Sequence, residues 1–161
     1  MFDLRVWILY ATKQGSVERC ARYMEQQREG VIPWDLHDGV PPFIRPEDKI
    51  ILASGVYNGK VSTMVQRFVT GHQGSLKDKS VSLLLCCEQP ELIDKVVKDS
   101  FGSYADQIDH VVYGGYAHVP RKLNPIDRLV SKYFNRIEGH ADCLAYDNLQ
   151  GLLSAKQGQK A

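Results

Sequence analysis

The chain contains no C-x-x-C, and its four cysteines, Cys20, Cys86, Cys87 and Cys143, follow no zinc spacing. That excludes a zinc knuckle and a thioredoxin-like redox motif. Cys86 and Cys87 are adjacent within an apolar run and read as buried free thiols of a reducing compartment. An excess of charge is missing too, since 20 Lys and Arg against 19 Asp and Glu leave a net +1. A nucleic-acid interface needs a clustered basic surface, so no nucleic-acid partner is expected. The dinucleotide fingerprint G-x-G-x-x-G is absent, which argues against a nicotinamide-binding domain. No apolar run approaches transmembrane length, and the first residues lack a charged-then-apolar signal pattern. The expectation is a cytoplasmic protein.

What is present is ordinary globular composition, 43% apolar and 24% charged over 161 residues. That length suits one domain with a real core. We expect the domain to span 1–155, with a polar tail at 156–161.

The most informative stretch is RVWILYATKQGSVERCARYM, Arg5 to Met24. Val6 to Ala11 is an apolar run, rich in β-branched and aromatic residues and only long enough for a buried strand. Val17, Cys20, Ala21 and Met24 then follow the i, i+3, i+4, i+7 spacing of a helix with one buried face. Between them lies the polar loop Thr12-Lys13-Gln14-Gly15-Ser16. A helix N-terminus presents unpaired N–H groups and a partial positive charge, so strand, loop and helix together can hold a phosphate. Thr12 and Ser16 offer hydroxyls, Lys13 a charge, and Gly15 close backbone approach. The competing reading is an ordinary connection capped by Ser16.

Further strands are expected at Val31 to Leu36, Lys49 to Gly55, Ser80 to Cys87 and Asp109 to Tyr113, the last ended by Gly114-Gly115. Pro33 cannot donate to a ladder, which places the second strand at an edge. Helical patterns separate the strands. One carries Val61, Met64, Val65 and Phe68. Another runs from Glu91 to Phe101 with Leu92, Ile93, Val96 and Val97 inward, and a third covers about Asp147 to Ala155. Asn58-Gly59 is a hairpin signal, but a helix follows it, so a plain hairpin is not expected there. Strands alternating with helices imply an α/β fold with a parallel sheet covered on both faces.

The segment from Tyr116 to Tyr146 is extra material. Within it Ile126, Leu129, Val130, Tyr133, Phe134 and Ile137 form a helical stripe, opposite Arg128, Lys132 and Arg136. A basic amphipathic helix over 125–137 is a candidate for peripheral contact with an anionic membrane, or for core packing with a solvated charged face.

With that loop and strand spacing the chain resembles the flavodoxin fold, a five-stranded three-layer sandwich in order 2-1-3-4-5. The closest likeness is to the menaquinone-dependent protoporphyrinogen IX oxidase family. ATKQGSVERCARYM is similar to that family's phosphate loop and helix start. GVYNGKV is similar to its loop after strand three. GGYAHVPRKLNPIDRLVSKYFNRIEGHADCLAYDNLQ resembles its helical insertion after strand five. Val17 stands where the family loop ends in Thr, and Cys87-Glu88-Gln89-Pro90 brings no aromatic residue to the loop after strand four.

The resemblance implies FMN at the carboxyl ends of the strands. Thr12, Lys13, Gln14, Gly15, Ser16 and Val17 would hold its phosphate. Val56, Tyr57, Asn58 and Gly59, with Cys87 and Glu88, would surround its ring, and Tyr57 would stack on it. His118, Arg121 and Lys122 would meet an acidic organic substrate. The implied activity is an oxidoreductase that passes electrons to a quinone or another redox partner. The alternatives are a non-catalytic electron carrier and a domain of this fold that has lost FMN. Near-neutral charge weighs against the carrier. The histidines are scattered, His140-x-x-Cys143 is a poor metal motif, and no metal is expected.

Overall fold

Val6–Ala11 is buried at all six positions, and this strand, β1, is where the architecture starts. The computed structural model describes residues 4–11, 15–87, 89–116 and 143–154. After β1 come α1 (Ser16–Gln27), β2 (Val31–Asp35), β3 (Lys49–Tyr57), β4 (Lys60–Val61) and α2 (Thr63–Leu76). Then follow β5 (Val81–Cys86), α3 (Ile93–Phe101), β6 (His110–Tyr116), β7 (Cys143–Leu144) and α4 (Tyr146–Ser154).

A strand sends alternate side chains to opposite faces, and β1 buries both. Val6, Ile8 and Tyr10 join Cys20, Ala21 and Met24 of α1 and Leu149 and Leu152 of α4. Trp7, Leu9 and Ala11 join Val65, Phe68 and Val69 of α2 and Val96 and Val97 of α3. In β3 and β5 the same alternation continues, with Ile51, Ala53 and Leu84 on the first face and Ile50, Leu52, Leu83 and Leu85 on the second. Three layers result.

The sheet order is β2-β1-β3-β5-β6-β7, with β4 paired to β3. Since β5 and β6 are the fourth and fifth long strands, this is the expected 2-1-3-4-5 order, extended by short antiparallel pieces. β2 lies at the edge, as Pro33 requires, with Pro33 opposite Ile8 of β1.

Several local expectations are corrected. β3 runs two residues past Gly55 and turns into a hairpin, pairing Val56 with Val61 and Tyr57 with Lys60. Both turn residues have positive φ, Asn58 at 52° and Gly59 at 76°. That is the type I′ pattern, in which Asn and then Gly are preferred and whose twist matches the strands. The helix begins only after the second arm, so it does not prevent the hairpin, and Val61 is a buried strand residue rather than a helical one. Gly114-Gly115 does not end the last strand: Leu85 pairs with Tyr113 and Cys86 with Gly115, a bulge that β6 passes through. Leu92 is 43% exposed, because Pro90–Leu92 is a 3-10 turn and α3 starts at Ile93.

The polar groups that hold the amino edge converge on Asp48, which is 1% exposed. Its Oδ2 accepts from Arg5 Nη2 at 2.7 Å, Trp7 Nε1 at 2.9 Å and the Arg45 N–H at 2.8 Å. Oδ1 accepts from Arg45 Nε at 3.2 Å and Arg5 Nε at 3.3 Å. Burial alone would raise this carboxyl's pKa. The donors from Arg5, Arg45 and Trp7 outweigh it and hold the pKa at about 2. The same edge fixes the closing helix. Lys49 Nζ donates to Leu152 O at 3.1 Å and Arg28 Nη1 to Leu153 O at 2.9 Å. Two cations therefore serve carbonyls in the last turn of α4, where the helix dipole favours positive charge.

A depressed carboxyl pKa stabilises the fold above its unfolded value and loses that contribution as pH falls toward the folded one. From 3.8 down to about 2, the loss for Asp48 should approach about 2 kcal/mol. Asp48→Asn should lower stability at neutral pH by about 3 kcal/mol and flatten this acid limb. Urea unfolding at stepped pH measures both. An acid limb unchanged in the variant would assign it to other carboxylates.

Candidate functional site

The strands end in register. Ala11 pairs with Ser54, Gly55 with Cys86, and Cys86 with Gly115. The loops after β1, β3 and β5 therefore leave from one edge. β1 connects through α1 to β2 on one side, while β3 flanks it on the other. The chain reverses direction across the sheet there and opens a crevice at the carboxyl ends, the usual ligand position in open α/β sheets.

The first wall is the start of α1. Gly15 is its N-cap, at φ 86°, and Ser16 is the first helical residue, 4% exposed. The reading of Ser16 as cap is corrected: the hydroxyl residue lies inside the helix. A left-handed glycine immediately before a helix brings backbone close to a bound anion without side-chain bulk. Glu18 in the first turn opposes an anion, while Arg19 and Arg22 follow it. Val17, 1% exposed, belongs to the core with Cys20, Ala21 and Met24. Only its backbone is left to face the crevice. Thr12, Lys13 and Gln14 lie outside the described residues.

The second wall is the β3–β4 hairpin, held by three serines. Ser54, fully buried, donates to Gly55 O at 2.6 Å and accepts from the Ser62 N–H at 2.9 Å. Ser100, at the end of α3, accepts from the Val61 N–H at 2.9 Å. Ser62 caps α2 by accepting from the Met64 N–H at 3.3 Å, and Gln66 Nε2 donates to Val61 O at 2.7 Å. Strand, hairpin and two helices are thus fixed to one another. Tyr57, half-buried, folds back along its strand: a Cβ on Gly55 would lie 2.9 Å from its Oη. Its ring covers the sheet end on the α1 side, next to Asn58-Gly59.

The third wall begins at half-buried Cys87, whose thiol burial pushes above the ordinary range. Glu88 lies outside the described residues, as do His118, Arg121, Lys122, His140 and the 125–137 segment. The structure thus brings Gly15, Ser16, Val56, Tyr57, Asn58, Gly59 and Cys87 to one edge. Sequence reasoning missed Ser54 and Ser100. A serine inside the apolar run KIILASG was the available signal for Ser54, and Ser100 gave none. Among the described residues no cluster of three His, Cys, Asp or Glu could hold a metal, and no helix is long and apolar enough to cross a membrane. A groove of about 540 Å³ lined by Asp109, His110, Tyr113, Asp147 and Asn148 runs along β6 and α4, away from the β1/β3 crevice.

The flavodoxin domain family model matches residues 7–142. Among solved structures the chain is similar to a flavoprotein in complex with FMN from Lactobacillus acidophilus, with a TM-score of 0.50 at 12% identity over 71% of this chain and 93% of that one. A Fusobacterium nucleatum flavodoxin bound to flavin mononucleotide gives a TM-score of 0.44 at 13% identity, over 86% of this chain and 99% of the other. At 12% identity the first likeness is one of fold. No curated protein matches the sequence.

The serine ties make the hairpin a rigid wall, and hydrogen exchange reads them individually. Ser54→Ala should speed exchange of the Ser62 amide and Ser100→Ala that of the Val61 amide, each with a stability loss of about 1 kcal/mol. Unchanged exchange at both amides would show that the hairpin holds its place without them.

Proposed function

The chain belongs to the flavodoxin domain family, and from that premise we propose that it is an FMN-binding oxidoreductase that takes electrons from an organic substrate and passes them to a quinone-type acceptor. The observation that carries this reading is Gly15 in the left-handed conformation at the start of α1, placed at the β1/β3 crevice beside a hairpin that presents Tyr57. These features fit the group. An anionic phosphate suits the helix start, an aromatic ring suits a planar cofactor, and Cys87 opens the third wall. When bound, FMN supplies the hydride and electron chemistry.

The chain's own residues bind and orient. Backbone N–H groups from Gly15 to Val17 receive the phosphate, with Thr12, Ser16 and Lys13 adding hydroxyls and charge. Glu18 confines the favourable region to the first amides. Tyr57 bounds the ring on one side, and Ser54, Ser62 and Ser100 fix how far the hairpin stands from α1. No side chain is needed as a general base. His118, Arg121 and Lys122, similar to the basic start of the protoporphyrinogen oxidase family's insertion, would meet substrate carboxylates. Arg128, Lys132 and Arg136 would hold the 125–137 segment at an anionic membrane, where quinones reside. The net charge of +1 favours this reading over a diffusible carrier with a strongly acidic docking surface.

Titration of the purified protein with FMN should saturate and quench flavin fluorescence. Ser16→Ala should weaken binding by about 1 kcal/mol or more, the loss of a charge-assisted hydrogen bond. Absence of saturable binding ends the reading. Separately, replacing Arg128, Lys132 and Arg136 with Gln should reduce sedimentation with anionic liposomes and its salt sensitivity. Equal sedimentation of both proteins would remove the membrane contact.

A further inference from the structure

Two thiols meet directly beneath the crevice. Cys20 Sγ lies 3.6 Å from Cys86 Sγ, across 66 residues of sequence. Both are buried, at 0% and 4% exposure. Cys20 also donates to Gly114 O at 3.6 Å. A Cβ at Gly114 would stand 3.1 Å from Cys86 Sγ and 2.9 Å from Leu84 Cδ1, so a side chain at this position in the bulge of β6 would crowd the thiol and the leucine. Cys20 is one turn beyond Ser16 on α1, and Cys86 is the last residue of β5, next to Cys87. The pair thus joins the helix that forms the first wall to the strand that leads into the third.

We propose that Cys20 and Cys86 are a dithiol site for hydroperoxides, whose closure to a disulfide ties α1 to β5 and loosens the phosphate end of the crevice. A disulfide needs its sulfurs about 2.05 Å apart, so closure draws them together by about 1.5 Å from where they stand. The chemistry balances with hydrogen peroxide as oxidant. One thiol, as thiolate, attacks a peroxide oxygen. The O–O bond breaks, a sulfenic acid forms, and the departing hydroxide takes up the proton lost when the thiolate formed and leaves as water. The second sulfur attacks the sulfenic sulfur, the S–S bond forms, and hydroxide departs as water with the second thiol's proton. Two thiols lose two electrons and the peroxide gains them.

The hydrogen bond with Cys20 and then burial push the Cys86 thiol well above its ordinary range. Only the thiolate is nucleophilic, so closure is slow at neutral pH and faster as pH rises. Closure moves the second turn of α1, and with it the amides at Gly15 to Val17. The consequence for cofactor affinity rests on the function proposed above, whereas the dithiol does not.

The test treats the whole protein with hydrogen peroxide at neutral and mildly alkaline pH. Remaining thiols are then alkylated, and peptides are mapped without reduction. The expected result is a Cys20–Cys86 linked peptide, formed faster at the higher pH, retained in Cys87→Ala and absent in Cys20→Ala. FMN titration of the closed form should show affinity lower by about tenfold, consistent with loss of a charge-assisted hydrogen bond, and a dithiol reductant should restore it. Oxidation confined to Cys87, with Cys20 and Cys86 still alkylated after unfolding, overturns the proposal. So does a closed form that binds FMN as well as the reduced one. Should the Cys20→Ala variant fail to fold, the map of the unmutated protein still decides. If the reduced protein binds no FMN, the oxidoreductase reading fails, and the peptide map alone decides the dithiol.

Discussion

The Asp48 carboxylate accepts hydrogen bonds from the residue before β1, from β1 itself and from the loop ahead of β3, and the register of the two central strands is set where those donors meet. The Lys49 N–H donates to Arg5 O at 3.0 Å in the same place. A one-residue slip would turn every side chain of a strand to the opposite face. Between β1 and β3 it would put Ile51 and Ala53 where Ile50 and Leu52 belong. It would also move Ser54 out of line with Ala11 at the other end. Alignment of the crevice walls is therefore decided a strand's length away, by a buried ion that cannot lose one partner without being left undercompensated.

The long elements were legible because each carries its own period. Val6 to Ala11 is too short and too continuously apolar for anything but a central strand, and the stripe Val17, Cys20, Ala21, Met24 is buried as its spacing requires. Pro33 located an edge from one missing N–H. Elements without a period went unseen. β4 and β7 have two residues each, and two residues establish no alternation. The Asn58-Gly59 signal was present but was set against the following helix, when a two-residue arm fits between them. Gly114-Gly115 read as a stop because glycine weakens strands. In this fold it is a bulge that accommodates Cys86.

The site was legible where local backbone chemistry decides it and illegible where distant side chains do. Gly15 ahead of a helical stripe announces close backbone approach, and the structure gives it a positive φ. Val17 looked like a loop residue by position, yet its spacing to Cys20 and Ala21 already put it in the core. The pairing of Ser100 with the Val61 N–H spans 39 residues, and that of Cys20 with Cys86 spans 66. No pattern along the chain encodes such contacts. They follow from the sheet register, which depends on Asp48.

The two edges of the sheet also differ in kind. At the amino edge the chain concentrates charge, with Arg5, Arg45, Asp48, Lys49 and Arg28 all committed to structural bonds. At the carboxyl edge the ties that hold the hairpin and join α1 to β5 are neutral, made by Ser54, Ser62, Ser100, Cys20 and Cys86, while the Asp35 carboxylate at the end of β2 accepts from His37. A formal charge buried beside the crevice would dominate the field felt by any ligand there. With neutral ties, the fixed dipoles of the α1 start are opposed in that turn by Glu18 alone. Hydroxyls and thiols can hold the walls in place while the backbone amides set the preference for a negative group. The separation also divides the consequences of substitution. A change at Asp48 acts on the whole fold. A change at Ser100 or Cys20 acts on the distance between two walls, which is the variable a ligand in the crevice reports.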